Sequence, residues 1–424
     1  MRILIVTYTY PPAKSVNGFR PYYFAKALIS KGHQVQVLTR HFTGSELFNE
    51  YALPNRYPYS ISKENGTIVH RVPFINTWFR YYRNSFFLST GIWRIVYLMQ
   101  LILGRTSQES YNKWFKPYLE KIIKRYNFDL ILVEYGPSNL VRIVNKLATD
   151  HKIPYAIDFR DAYSQEMCIK NQALLSIGKR IIIRLEKYYL KSSIHNAAFC
   201  ISLSRQLLNV LGIPLEKQEI ISNGFDEDEW DSISTSWNTN IFRITIAGTL
   251  YNKEFLMPFL HSIKEFIKMK LDHIEVLFIA PGSDEVINKI VETLEFPQIR
   301  IIKHRISYHQ TCKWMASSVV LMYHGWRGYS GIASTKIFDY IRSGNKILIV
   351  PGDDDIIDEI IMKTKSGVIA NDPTIGANQL YIWYNQWKDN IVMNSNLPSS
   401  ISSYSRGSQN SNLSVIIDRR LQPR

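Results

Sequence analysis

The residues best suited to chemistry lie between Gly328 and Gly344. This stretch follows an apolar run that reads as a strand, Val319 to Tyr323, and opens a short helix at Ser334 that Gly344 stops. Free backbone N–H groups at a helix start, with the helix dipole behind them, make an anion site. Ser334 or Thr335 can cap that start, and Lys336 adds a point charge for phosphate. Asp339, four residues after Thr335 and three after Lys336, shares their face. There it is placed to accept hydrogen bonds from ribose hydroxyls one turn beyond a phosphate. It reads equally as a solvated helix carboxylate paired with Lys336.

Such a site needs a scaffold, and the chain is long enough for two. Its 424 residues suit two domains of about 150–200 residues each. Ile3 to Thr7 is a short apolar run expected of a strand buried on both faces. A Pro-Pro turn and a loop with Asn17 and Gly18 lead to a helix around Phe19 to Lys31, stopped at Gly32. Val35, Val37 and Leu38 begin a second strand, completing a βαβ unit of a parallel sheet. The alternation resumes with strands at Asp129–Val133, Pro154–Phe159, Phe199–Leu203 and Glu219–Ile221. Between them come helices at Ser138–Ala148, Leu174–Lys191 and onward from Ser204. Residues 223–240 turn acidic and rich in Ser, Thr and Asn, and read as a linker. A second series of strands then starts at Arg243–Ala247 and continues at Ile274–Ile279, Ile299–Lys303, Val319–Tyr323, Lys346–Val350 and Gly367–Ile369. Two such sheets would bind a ligand at their carboxyl edges, across the cleft between them.

The order of motifs carries a resemblance. Ser334-Thr-Lys-Ile-Phe-Asp339-Tyr-Ile-x-Ser-Gly344-x-x-Ile-Leu resembles the donor-binding segment of family 4 retaining glycosyltransferases. Tyr10-Pro-Pro, Gly18, Arg20 and the run from Gly32 and His33 to Thr39 are similar to that family's amino-terminal signature. Asp158-Phe-Arg160-Asp161 resembles its acidic motif at a strand end. Ser202 to Leu207 followed by Asn223-Gly-Phe-Asp226 resembles its domain-closing segment. Ala247-Gly-Thr-Leu-Tyr251 resembles the first loop of its second domain, and Tyr404-Ser-Arg406 its final helix. The resemblance implies the α/β GT-B fold: two Rossmann-like parallel-sheet domains facing across a cleft, with a carboxyl-terminal helix packing back on the first. The expected division is residues 1–225, 226–396 and a returning tail at 397–424. One departure stands out. Many relatives carry two Glu eight positions apart, where this chain has Gly331 and Asp339. The shorter, glycine-bearing loop around Gly331 is then expected to present backbone N–H groups to the sugar.

Splitting a sugar–phosphate bond requires the departing diphosphate to be stabilised, at a transition state with oxocarbenium character. Lys253 and Lys336 are the expected cations, and Asp161, just past a strand end, is the expected acid of the first domain. Asp161 also reads as a structural carboxylate paired with Arg160 or Arg20. Gly18, Gly248, Thr249, Gly331, Ser334, Thr335, Lys336 and Asp339 form the expected donor side; Arg20, Glu134 and Arg160 form the expected acceptor side. By the same resemblance neither a metal nor another cofactor is expected.

Charge points to the acceptor's setting. There are 51 Lys and Arg against 36 acids, a formal net charge of +15, which draws polyanions. Residues 65–128 are markedly basic, with Glu109 and Glu120 their only acids. Within an insert spanning about 74–126, Trp78, Phe79, Tyr81, Tyr82, Trp93 and Tyr97 interleave with Arg80, Arg83, Arg94 and Arg105. Phe86 to Leu103 is strongly apolar but broken by polar residues, which suits a helix lying in a membrane interface; a buried helix or a span are the other readings. No nucleic-acid module accompanies it. Cys168, Cys200 and Cys312 form no disulfide or metal framework, and the amino terminus reads as a strand and not as a signal peptide. The expectation is a cytoplasmic enzyme on the inner face of the cell membrane. It would move a sugar from a nucleotide diphosphate to a lipid-linked or other saccharide acceptor. A nucleotide-sugar epimerase or hydrolase, and a non-catalytic membrane-associated binding protein, are the competing readings.

Overall fold

The computed structural model describes residues 1–13, 16–44, 57–73, 109–135, 138–160, 177–233, 240–251, 254–389 and 399–421. The chain divides into two compact units, Met1–Ile221 with Asn410–Arg424, and Ser222–Gln409.

The first unit is built on an eight-stranded sheet in the order β3-β4-β2-β1-β5-β6-β7-β8. Its strands are β1 (Arg2–Val6), β2 (Gln34–Arg40), β3 (Ser60–Glu64), β4 (Thr67–Val72), β5 (Leu130–Glu134), β6 (Tyr155–Phe159), β7 (Phe199–Ser202) and β8 (Gln218–Ile220). All pairings are parallel except β3 with β4. Alternate residues of each central strand enter opposite cores, as the period of two requires. Leu4, Val6, Ile131 and Val133 join one core, whereas Ile3, Ile5, Leu130 and Leu132 join the other. The expected central strands are therefore present, each within a residue or two of its predicted bounds.

The β3–β4 hairpin is an addition. Asn65 and Gly66 form its turn, both with positive φ (48° and 82°), the conformation that Asn-Gly favours between twisted strands. A further change concerns the basic insert. Its carboxyl-terminal part is the helix Glu109–Arg125, whose Phe115, Leu119, Ile122 and Ile123 are buried in the first core, so it is an ordinary layer helix. The aromatic stretch from 74 to 108 lies outside the described residues. Among the described residues no helix is long and apolar enough to cross a membrane.

The second unit carries a six-stranded, wholly parallel sheet in the order β11-β10-β9-β12-β13-β14. These are β9 (Phe242–Ala247), β10 (Ile274–Ile279), β11 (Ile299–Ile302), β12 (Val320–Tyr323), β13 (Lys346–Ile349) and β14 (Gly367–Ile369). The segment read as a linker is partly structured. Asp226 caps a short helix, Glu227–Asp231, whose Trp230 is buried in this unit's core. Its acidic, polar composition hid one large apolar anchor.

The division between units also falls elsewhere than the composition suggested, at 221/222. Residues 399–409 belong to the second unit, because Phe225 bridges to Ser405 and Arg406 binds both Asp226 (3.0 Å) and the Gly224 carbonyl (3.0 Å). A Cβ on Gly224 would lie 2.5 Å from the Tyr404 carbonyl oxygen, so only glycine admits this approach. From Asn410 onward the last helix, Arg406–Leu421, packs into the first unit. Leu413, Ile416 and Ile417 lie among Ile3, Ile5 and Phe24, and Arg419 grips Glu219 at 2.6 Å.

Candidate functional site

In the second unit the site grows from the carboxyl ends of the adjacent strands β9 and β12. The helix Thr335–Ser343 packs against them through Ile337, Phe338, Tyr340 and Ile341. Ser334 caps it, accepting the Lys336 N–H at 3.4 Å, and Gly344 ends it in the left-handed conformation at φ 75°. Lys336 reaches back across the β9 turn and donates from Nζ to the Thr249 carbonyl at 2.9 Å. Gly248, at φ 79°, makes room for it: a Cβ there would lie 2.7 Å from Lys336 Cε. Gly248, Thr249, Ser334 and Lys336 are thus brought together, with the half-buried Thr335 beside them. Burial lowers the Lys336 pKa to about 8.

His324, just past β12, completes the floor. It is 3% exposed, and burial followed by the Lys336 charge holds its pKa down to about 3, so the ring is neutral. Neither ring nitrogen has a hydrogen-bond partner. Histidine after a strand has no distinguishing pattern, and the sequence leaves His324 equally a cleft or a surface group; the fold buries it near Lys336.

Asp339 departs from the reading of a solvated carboxylate paired with Lys336. It does not pair with Lys336, and it is buried. Its Oδ1 accepts from Trp230 Nε1 at 3.0 Å and from the Tyr308 hydroxyl, and burial pushes its pKa upward against those bonds. One of its two carboxylate oxygens is thus engaged by protein. Trp230 and Tyr308 were not anticipated because they stand 109 and 31 residues away in the chain. Asp339→Ala is expected to destabilise the second unit by about 1–3 kcal/mol, since two buried donors lose their acceptor. Asp339→Asn keeps an acceptor and should melt close to the wild type. Thermal melts of both variants check this, and an alanine variant as stable as the wild type would refute the structural role.

Gly331 also departs from expectation. Its N–H does not stand free for a sugar but donates to Asp355 Oδ2 at 2.6 Å. Lys336, bonded to the Thr249 carbonyl, is the cationic side chain described at this helix start. Lys253, the second expected cation, lies outside the described residues.

The first unit gathers its charged candidates at the carboxyl ends of β5 and β6. Arg20 donates from Nε and Nη2 to the two oxygens of Asp158 (2.8 and 2.9 Å) and from Nη1 to the Ile221 carbonyl (3.0 Å). Both side chains are buried. Glu134, beside Asp158 in register, accepts from Arg160 Nε at 2.9 Å and from the Thr7 hydroxyl. Burial raises the Glu134 pKa, and Arg160 opposes the rise. Arg20 is thus a structural clamp, not an open acceptor contact, and Glu134 and Arg160 are partners of each other. Gly18 lies in the first turn of the helix Val16–Ser30 and not in a loop. Its absent side chain makes space for Thr9 and Tyr10, each 3.4 Å from where a Cβ would stand. Asp161 lies outside the described residues. Among the described residues no three His, Cys, Asp or Glu side chains gather as a metal site.

No protein-family model matches the chain, and no curated protein matches its sequence. Solved structures do match over its full length. Sucrose-phosphate synthase from Thermosynechococcus elongatus aligns at TM-score 0.63 and 12% identity, covering 99% of this chain and 98% of its own. A UDP-forming alpha,alpha-trehalose-phosphate synthase from Burkholderia vietnamiensis gives 0.62 and 10%, covering 99% and 100%. HepE from Anabaena in complex with UDP gives 0.60 and 11%, again covering 99% and 100%. At such identities the likeness is one of fold, and it agrees with the two parallel-dominated sheets: this chain has the GT-B fold.

Proposed function

We propose that the protein is a glycosyltransferase that moves a sugar from a nucleotide diphosphate to a saccharide acceptor, with retention at the anomeric carbon. The observation that carries this reading is Lys336. Its ammonium, half-buried at a capped helix start and laid over the Gly248–Thr249 turn, stands where an open α/β sheet binds ligands. The bond from the sugar's C1 to the diphosphate oxygen breaks, and a bond from C1 to the acceptor oxygen forms. The acceptor proton passes to the departing diphosphate, whose charge Lys336 offsets. HepE is titled as a complex with UDP, and a trehalose-phosphate synthase of the same fold as a complex with glucose-6-phosphate; both support a nucleotide-sugar donor and a saccharide acceptor.

The acceptor is read as lipid-linked and the enzyme as docked on the inner face of the cell membrane. Support comes from the helix Ile177–Asn196. Ile177 is 78% and Tyr188 73% exposed, on a face shared with the exposed Ile181, Arg184 and Lys191. Its single acid, Glu186, is buried and accepts from the Tyr135 hydroxyl. The adjacent helix Ser138–Asp150 adds exposed Arg142 and Lys146. Apolar side chains among cations suit an anionic interface.

One assay tests both parts. The protein is incubated with UDP-, GDP- and ADP-sugars, with and without membrane extract, and its co-sedimentation with anionic and neutral vesicles is measured. Product that requires the extract, with anionic vesicles preferred, is the expected result. Turnover without any acceptor would replace transfer by hydrolysis or epimerisation, and equal partition between vesicles would remove the membrane.

A further inference from the structure

Beside Lys336 the second unit displays more aromatic surface than binding a phosphate uses. Tyr251, two residues beyond the carbonyl that holds the ammonium, is 45% exposed. Its ring meets Trp326 edge to face, centroids 4.9 Å apart at 73°, and Trp326 meets Tyr329 in the same way at 5.6 Å and 76°. Trp326 and Tyr329 are themselves half-buried. Beneath lies Phe255, 5.6 Å from Trp326 and stacked on His324 at 4.9 Å.

We propose that Tyr251, Trp326 and Tyr329 form a ledge that packs against the sugar ring of the nucleotide-sugar donor and gives the site its preference for sugar nucleotides over free diphosphates. The proposal rests on the donor reading above. Three features select a sugar. A pyranose is covalently joined to the phosphate that Lys336 would hold, so the neighbouring surface is what it meets. One face of the ring presents C–H groups, which suit an aromatic face, while its hydroxyls need neutral polar groups at the rim. The phenols of the exposed Tyr251 and the half-buried Tyr329 are the neutral polar groups available there. His324 beneath them is neutral and so brings no charge of its own to the floor. Its two unpartnered ring nitrogens, 97% shielded from solvent, are polar groups in need of a partner. Tyr251 meets Trp326 at a steep angle and is itself exposed, as an amphipathic contact residue should be.

The test measures binding of UDP, UDP-glucose, GDP and GDP-mannose to wild type, Trp326→Ala, Trp326→Phe and Tyr251→Ala by calorimetry, with thermal melts as a folding control. For wild type, one sugar nucleotide should bind more tightly than its own diphosphate. Trp326→Ala should weaken that sugar nucleotide about tenfold, the loss of one stacked ring, while the diphosphate changes less than about twofold. Trp326→Phe should restore most of the loss, and Tyr251→Ala, at an exposed position where folding is undemanding, should reproduce part of it. Equal weakening of diphosphate and sugar nucleotide would assign the ledge to the base, and an unchanged ratio in both alanine variants would remove it; either result overturns the proposal. A wild type that binds no diphosphate overturns the donor reading together with the ledge.

Discussion

Lys336→Met is expected to weaken nucleoside diphosphate binding by about a hundredfold or more and to abolish sugar transfer, while making the ligand-free protein more stable. The two effects have one cause. The half-buried Lys336 ammonium, bonded to the Thr249 carbonyl, is poorly solvated, so its pKa falls from 10.5 to about 8. That shift corresponds to a folding cost on the order of 3 kcal/mol near neutral pH. A bound diphosphate offsets the cost through charge-assisted hydrogen bonds, which methionine cannot make.

The sign of the pH dependence follows. Below about pH 8 both folded and unfolded chains hold the proton, and the full cost is present. Between about 8 and 10.5 the unfolded chain still holds it and the folded chain has released it, so stability rises with pH across that window. Diphosphate affinity moves the opposite way and falls as pH rises through about 8. Thermal melts and binding measured from pH 6 to 10 check each limb. A methionine variant that binds diphosphate like the wild type would remove Lys336 from the site.

Asp158→Ala should destabilise the first unit by about 3–5 kcal/mol, because it leaves the buried Arg20 guanidinium without its counter-charge. Arg20 keeps only the Ile221 carbonyl and its place over the Phe24 ring, 4.8 Å away. Replacing both partners, Arg20→Met with Asp158→Leu, removes the stranded charge and should recover much of the loss. Denaturant unfolding of the three variants, followed through hydrogen exchange in β1 and β6, measures this. A single variant as stable as the wild type would show that the pair is dispensable. The clamp joins the first helix to β6 and to the end of the segment after β8, so it holds elements 138 and 201 residues apart.

Much of the scaffold could be read from local pattern. A strand buried on both faces is a short apolar run, and Ile3–Val6 and Leu130–Val133 show this without reference to anything distant. The cap at Ser334 and the stop at Gly344 are likewise local, because each concerns hydrogen bonds and φ angles within one turn. The Asn65-Gly66 turn is local on the same grounds, though it sits among polar residues that carry little strand signal. Trp230 was less accessible. Composition averages over a window, and one buried indole in an acidic stretch does not move the average.

The amino-acid sequence alone determined the alternation of strand and helix, the two-sheet architecture and the presence of a lysine at a helix start that could meet an anion. Each follows from short-range sterics, period and capping. Only the tertiary structure decided which polar groups are open and which are engaged. Asp339 went to Trp230 and Tyr308, Gly331 to Asp355, and Arg20 to Asp158, while Lys336 came to lie over Gly248. The physical reason is that a buried polar group must find a partner, and the folded chain brings such partners from segments that sequence spacing does not relate.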